Sequence, residues 1–321
     1  MSVEVRKLVE RYLPDFPVIH CGEIYTDTSG FMNISYGDVI AVGGLHYMVF
    51  RDEAERRFGM EDPKYWVKRC QVLETGERRI LKLVFYESFP MKIGPFVIRC
   101  HRSAEKEGRI LDLVRNDRRF MQGVPMKDEK GNLVRVLDLI RGKRLDVVVD
   151  AIPVDHRTYF HEFFPGILEK FIGSCEAIAF LHSHEEKHGD IRRDHLWVES
   201  GTGDYRWIDF DYAFDFFENP FGLDLFGLGN ILLFLVGKGH HTSQRMRELG
   251  FGEDVLKSLP PEDFSLMFHY RLVNLRKLYS YIPEELNRVL MHFSVGANVF
   301  YETVDELLEG LYPCLDLVSR L

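Results

Sequence analysis

Cysteine is scarce and unpatterned in this 321-residue chain: Cys21, Cys70, Cys100, Cys175 and Cys314 are odd in number, scattered, and never paired as CxxC. Neither a disulfide frame nor a zinc ribbon is suggested, and a reducing, cytoplasmic setting is the expectation. Long apolar runs are missing too. No stretch approaches the roughly 18 to 20 residues needed to cross a bilayer. The opening MSVEVRKLVERYL reads as an amphipathic helix and not as a signal sequence, so no membrane span is expected. Nor is positive charge in excess. Against 41 Lys and Arg stand 50 Asp and Glu, a net charge of −9. That argues against a nucleic-acid partner, because neutralising phosphate dominates such affinity. What is present is ordinary globular composition, 45% hydrophobic and 28% charged, enough to bury one or two sizeable cores.

The chemistry concentrates in HGDIRRDHLWVESGTGDYRWIDFDYAF, His188 to Phe214. Asp190 sits in a polar loop that follows a helix-periodic apolar run and leads into Leu196-Trp197-Val198. Asp209 follows Trp207-Ile208 after the turn Gly201-Thr202-Gly203-Asp204. The order is loop, strand, turn, strand, acid. Such a hairpin brings two carboxylates to one mouth, one able to accept a hydroxyl proton and one able to hold a hard cation through oxygen.

HGD at 188–190, His195 five residues after Asp190, and DFD at 209–211 resemble the catalytic and metal-binding loops of the protein-kinase-like superfamily. Its strings are HRD, an Asn five residues on, and DFG. Three letters depart: Gly189 stands for Arg, His195 for the second metal-binding Asn, and Asp211 for the Gly that gives DFG its backbone freedom. The resemblance implies an α+β, two-lobed fold, with a small antiparallel β-sheet lobe and a larger, mostly helical one. It also implies ATP and Mg²⁺. Asp190 would orient or deprotonate the acceptor, Asp209 would hold the metal, and Arg192 would lie near the transferred group, where the family commonly has Lys. His195 would be either a metal ligand, favouring Mn²⁺ over Mg²⁺ because imidazole prefers softer metals, or a brace of the loop. The HGD string is similar to that of aminoglycoside and choline phosphotransferases, and histidine at the Asn position is similar to lipopolysaccharide core kinases.

In chain order, residues 2–13 read as a surface helix ended by Pro14 and Pro17, and 18–37 carry no assignable pattern. Residues 38–88 read as strands DVIAVGG, LHYMVF, YWVKRCQVL and RRILKLVFYE, with Thr75-Gly76 turning between the last two. Lys82, inside ILKLVF, is either a solvent-face lysine or, by resemblance, the third-strand lysine that holds the α- and β-phosphates; Lys68 is the weaker competitor. GxGxxG is absent, leaving Gly43 and Gly44, or Gly59 in the charged stretch before YWVKRC, as the glycines open to phosphate contact or to mere turns. RSAEKEGRILDLV predicts a helix with an Ile110, Leu111, Val114 stripe. Glu107, or Glu105 in a shifted register, would pair with the strand lysine.

GVPMKDEKGN reads as a loop, and LVRVLDLIRGKRLDVVV as a strand that breaks at Arg141-Gly142 and resumes as helix. By resemblance Asp138, Leu139 and Ile140 would present backbone to adenine, with Leu137 beside the pocket. Residues 157–183 carry the clearest helical period. The spacing of His182, His184 and His188 across a helix end does not suit zinc, and His188 reads as a brace. Asp224 opens an apolar helix and, by resemblance, would hydrogen-bond the catalytic-loop backbone. Only 15 positions separate it from Asp209, with no APE string, which is short for a peptide platform. Further helices fill 262–321. The expected division is an extension at 1–37, a sheet lobe at 38–141 and a helical lobe at 142–321. The expected activity is transfer of the γ-phosphoryl of Mg-ATP to a hydroxyl of a protein or a small molecule. The alternative is a kinase-fold scaffold without chemistry.

Overall fold

The computed structural model describes all residues except Met1, Ser2, Phe58, Gly59, Gly94, Pro95, Phe217 and Leu321. In order the chain forms α1 (Val3–Tyr12), β1 (Ile24–Tyr25), β2 (Val39–Val42), β3 (Leu45–Arg57), β4 (Met60–Val72), β5 (Arg78–Lys82), β6 (Ser88–Ile93), β7 (Phe96–Arg102) and α2 (Ala104–Leu113). It continues through β8 (Gly123–Lys127), β9 (Leu133–Asp138), β10 (Gly142–Arg144), α3 (Leu145–Asp150), α4 (His156–Thr158), α5 (Phe164–Ser183), β11 (Leu196–Glu199), β12 (Tyr205–Trp207) and β13 (Tyr212–Phe214). The remaining helices are α6 (Gly222–Gly237), α7 (Ser243–Glu248), α8 (Glu253–Lys257), α9 (Glu284–Met291) and α10 (Val304–Val318). Two compact units result: Met1–Glu87 with Arg102–Ile140, and Ser88–His101 with Arg141–Leu321.

The first unit is a seven-stranded sheet in the order β1-β2-β3-β4-β5-β9-β8, antiparallel except for the β1–β2 pair. Period-two alternation gives it two apolar faces. Ile40, Val42, Tyr47, Val49, Cys70, Val72, Leu81, Val134 and Val136 enter one core. Val39, Met48 and Leu73 turn the other way, and Val5 and Val9 of α1, with Phe16 and Cys21, cover them. Residues 3–21 thus close one face of the sheet, while Ile34 enters the opposite core with Tyr25 and Phe31 packed against it.

The charged stretch after Phe50 does not leave the sheet, because it runs on as 13-residue strands β3 and β4. Cross-strand pairs match its charges, Lys68 with Asp52 at 2.7 Å, Arg69 with Glu53 at 2.5 Å and Lys64 with Glu55 at 3.5 Å. GVPMK, read as loop, is the edge strand β8. A sheet edge tolerates Pro125, which has no N–H to give to a further neighbour.

The second unit is mostly helical. Phe164, Leu168, Phe171, Cys175, Ile178 and Leu181 of α5 are fully buried, and most residues of α6 are buried. Strands β6 and β7, for which the sequence offered no element, pair antiparallel, and Ile98 and Cys100 of β7 pack with Phe214 and Leu223. Small sheets β10-β11-β12 and β13-β7-β6 frame the loops. An antiparallel sheet in one unit and helix in the other make the α+β class expected from sequence. Among the described residues no helix is long and apolar enough to cross a membrane, and all five cysteines are buried thiols.

Candidate functional site

The loop between α5 and β11 carries Asp190, and Asp224 holds it. Asp224 is the third residue of α6 and is fully buried. Its carboxylate accepts from the His188 amide at 2.7 Å, the Gly189 amide at 2.8 Å and His182 Nε2 at 3.1 Å. Burial alone would push the carboxyl up, but these bonds hold it below the ordinary carboxylate value. Presenting two consecutive amides to one carboxylate needs an unusual backbone, and Gly189 has φ 86°. His188, buried beneath, sits edge-on to Trp207 at 5.1 Å and to Phe210 at 6.0 Å.

Asp190 follows at once, with its side chain 18% exposed. Burial raises its pKa, and Asp209 and Asp194 add to that, while His195 and Arg192 oppose it. Arg192 lies 3.9 Å from Asp190 Oδ2 but is committed to Asp194, with Nε donating to Oδ1 at 3.0 Å and Nη2 bonded to Oδ2. Burial works against the Asp194 carboxylate, yet the Arg192 hydrogen bonds outweigh it and keep that carboxyl far below its usual range.

His195 bridges the two acids. Its Nδ1 is 2.9 Å from the carbonyl oxygen of Asp190, an acceptor, so Nδ1 carries the hydrogen. In the neutral ring Nε2 then holds a lone pair, and it points at Asp209 Oδ2, 3.5 Å away. Two acceptors facing one another call for a cation or a proton between them, and one imidazole nitrogen with one carboxylate oxygen is a donor set that suits a divalent ion. Asp209 itself is held at φ 66°, a left-handed conformation that Asp tolerates better than most residues and that concentrates at functional sites.

In the first unit Lys82 of β5 is buried and pairs with Glu107 of α2, Nζ to Oε1 at 2.7 Å. Glu107 is fully buried and Glu105 is exposed, so the unshifted register is the one formed. A residue that sequence reasoning missed completes the group: Arg135 Nε donates to Glu107 Oε2 at 3.0 Å. Its signal was a charge inside the apolar run LVRVL, with apolar neighbours on both sides. Lys68 is also buried but lies one residue out of phase with Lys82, since Val67 is the register partner of Lys82. Its Nζ donates to the Ile34 carbonyl at 2.5 Å and to Asp52 at 2.7 Å.

Gly43 and Gly44 form the two-residue turn between β2 and β3, with φ 60° and 77°, the pattern of a primed hairpin turn. A Cβ on Gly43 would meet Met126 Sδ at 2.5 Å. The hairpin that leads into the lysine strand is β3–β4, and Gly59 lies outside the described residues. Asp138 is exposed at the end of β9, its amide on the Gln122 carbonyl at 2.9 Å and its carboxylate 3.5 Å from Arg79. Leu139 and Ile140 are half-buried, and Leu137 is buried.

No family model matches the chain, and no curated protein matches it. Among solved structures it is similar to the crystal structure of Rad53 1-466 in complex with AMP-PNP, with 15% identity and a TM-score of 0.46, over 78% of this chain and 61% of that one. The chain therefore spans about three fifths of that structure's length.

Proposed function

We propose that this protein is an ATP-dependent phosphotransferase that moves the γ-phosphoryl group of Mg-ATP to a hydroxyl acceptor, carried by a protein or a small molecule. The observation that carries the reading is the clamped loop of the second unit, where Asp190 and Asp209 are fixed on either side of one histidine. Asp190 is the group that takes or directs the acceptor's hydroxyl proton, and a carboxyl with a raised pKa is a better base for that task. Asp209 and His195 are the residues that would hold Mg²⁺, or Mn²⁺ given the imidazole, and the ion would neutralise charge on the β- and γ-phosphates. Arg192, its guanidinium oriented by Asp194, serves the transferred group.

From the first unit, Lys82, with its ammonium oriented by Glu107, grips phosphate. Asp138, Leu139 and Ile140 supply backbone to adenine, and the Gly43-Gly44 turn is a candidate for phosphate contact. Most of the rate would come from positioning and charge neutralisation. The test is a thermal-shift titration with Mg-ATP followed by a turnover assay on Asp190→Ala. A nucleotide-dependent shift and loss of phosphoryl transfer in the variant are expected. No shift at millimolar Mg-ATP would refute the proposal and leave the scaffold without chemistry.

A further inference from the structure

Arg135 lies in the middle of β9, directly across from Lys82 on β5, and is 2% exposed. Glu107 divides its carboxylate between the two cations, Oε1 taking Lys82 Nζ at 2.7 Å and Oε2 taking Arg135 Nε at 3.0 Å. The other guanidinium nitrogens donate to the carbonyls of Leu133 at 3.0 Å and Leu83 at 3.1 Å. The fork is therefore fixed at three points, two of them backbone. The helix is also seated tightly on this edge of the sheet. A Cβ at Gly108 would come within 3.2 Å of Leu133 Cδ2 and 3.3 Å of Pro125 Cβ.

We propose that Arg135 is a positioning residue that ties Glu107 to the sheet, so that the Lys82–Glu107 pair is built into this unit and needs no movement of α2 to form. This rests on the reading of Lys82 as the phosphate-gripping lysine. A lysine is a point charge on a flexible stem and holds a carboxylate in many geometries, whereas a guanidinium is planar and its donors are set in advance. With one oxygen of Glu107 committed to the rigid donor, the other stays where Lys82 must meet it. Swinging α2 outward would break a buried charge pair and leave Arg135 without its carboxylate, which disfavours the swung state.

The experiment compares Arg135→Met, Arg135→Lys, Glu107→Gln and the Arg135→Met/Glu107→Gln double variant with the parent. Amide hydrogen exchange is read in the absence of nucleotide, and KM and kcat are read with Mg-ATP. Arg135→Met is expected to speed exchange in α2 about tenfold while β2, β3 and β4 stay protected. Arg135→Lys, which keeps the charge but not the fixed fork, should recover the protection only in part. In the Glu107→Gln background, Arg135→Met should add nothing, because the residue acts through that carboxylate. In turnover, Arg135→Met should raise KM for Mg-ATP about tenfold and change kcat less than about threefold. Unchanged α2 exchange in Arg135→Met overturns the proposal whatever the turnover. Uniform loss of protection across the sheet in both Met and Lys variants overturns it too, since that is the mark of a general packing role. If α2 alone loosens but the parent protein binds no nucleotide, the tie to Glu107 stands and the reading of Lys82 falls.

Discussion

Asp224→Ala tests the geometry of the loop most directly. Asp224 accepts three hydrogen bonds, from the His188 and Gly189 amides and from His182, and it is 0% exposed. Truncation leaves two amides without an acceptor, that of His188 buried and that of Gly189 partly buried, each worth about 1–3 kcal/mol when unsatisfied. It also removes the charge that faces His182, so a loss of about 3–5 kcal/mol is expected, as for other buried pairs broken on one side. At about 2–4 °C per kcal/mol for a unit of this size, melting should fall by about 6–20 °C. Asp224→Asn keeps one acceptor and turns an amide N–H toward the second donor, so it should lose less, about 2 kcal/mol.

The assay is urea unfolding followed by fluorescence of Trp207, which is buried against His188, together with amide exchange at His188 and Gly189. The dependence on pH gives a second check. The folded pKa of Asp224 is depressed, so its contribution is full above the ordinary carboxylate value of about 3.9 and is lost as pH falls through the folded value. The stability gap between the parent and Asp224→Asn should therefore close in acid. Intact amide protection at 188 and 189 in Asp224→Ala, with an unchanged urea midpoint, would refute the reasoning.

Other substitutions separate chemistry from folding. Asp190 has a raised folded pKa, so its charged form weakens the fold at neutral pH. Asp190→Asn should abolish phosphoryl transfer while stability holds or rises, and the gain should shrink as pH falls through the raised value; a marked loss of stability would count against this. Mg-ATP at about a hundred times its Kd should add about 2.7 kcal/mol, and Lys82→Ala or Asp209→Ala should each remove that shift; Lys82→Ala should still fold because Glu107 keeps Arg135. His195→Asn can still donate to the Asp190 carbonyl. Metal-dependence assays should show Mg²⁺-supported turnover rising and the preference for Mn²⁺ flattening, and no change in either would exclude His195 as a ligand.

Much of the local order was legible because it is written in periodicity and in short strings. The β3, β4 and β5 cores, the long helix ending at Ser183, the hairpin between the two acids and the helix bearing Asp224 all follow from patterns within about 20 residues. What escaped depends on pairing across distance. Arg135 acquires meaning only when β9 lies against β5 and the register sets it opposite Lys82. The charged residues of β3 beyond Phe50 join the sheet through cross-strand ion pairs, not through apolar alternation. In β8 a proline masks a strand, and only the strand's place at the sheet edge makes it harmless. A periodicity states which face a residue takes, not which partner waits there.

The three letters that depart from the kinase strings become one backbone argument. Within the HGD and DFD strings, left-handed conformations fall at Gly189, φ 86°, and at Asp209, φ 66°, and Asp211 is not among the residues with positive φ. Glycine is therefore spent where the loop must turn two amides onto Asp224, and an arginine there would be strained whatever space it had. After Asp209 the chain needs no such freedom. Phe210 is fully buried and Asp211 is 2% exposed, and Tyr212 opens β13, which lies beside β7 in the same unit. A glycine at 211 would loosen a segment that is tied down one residue later, and an aspartate there keeps the carboxylate of Asp209 from turning on a hinge. Histidine at 195 fits the same logic. One ring nitrogen fastens the carbonyl of Asp190 and the other faces Asp209, so a single side chain sets the spacing of two acids that, in this loop, no glycine is left to adjust.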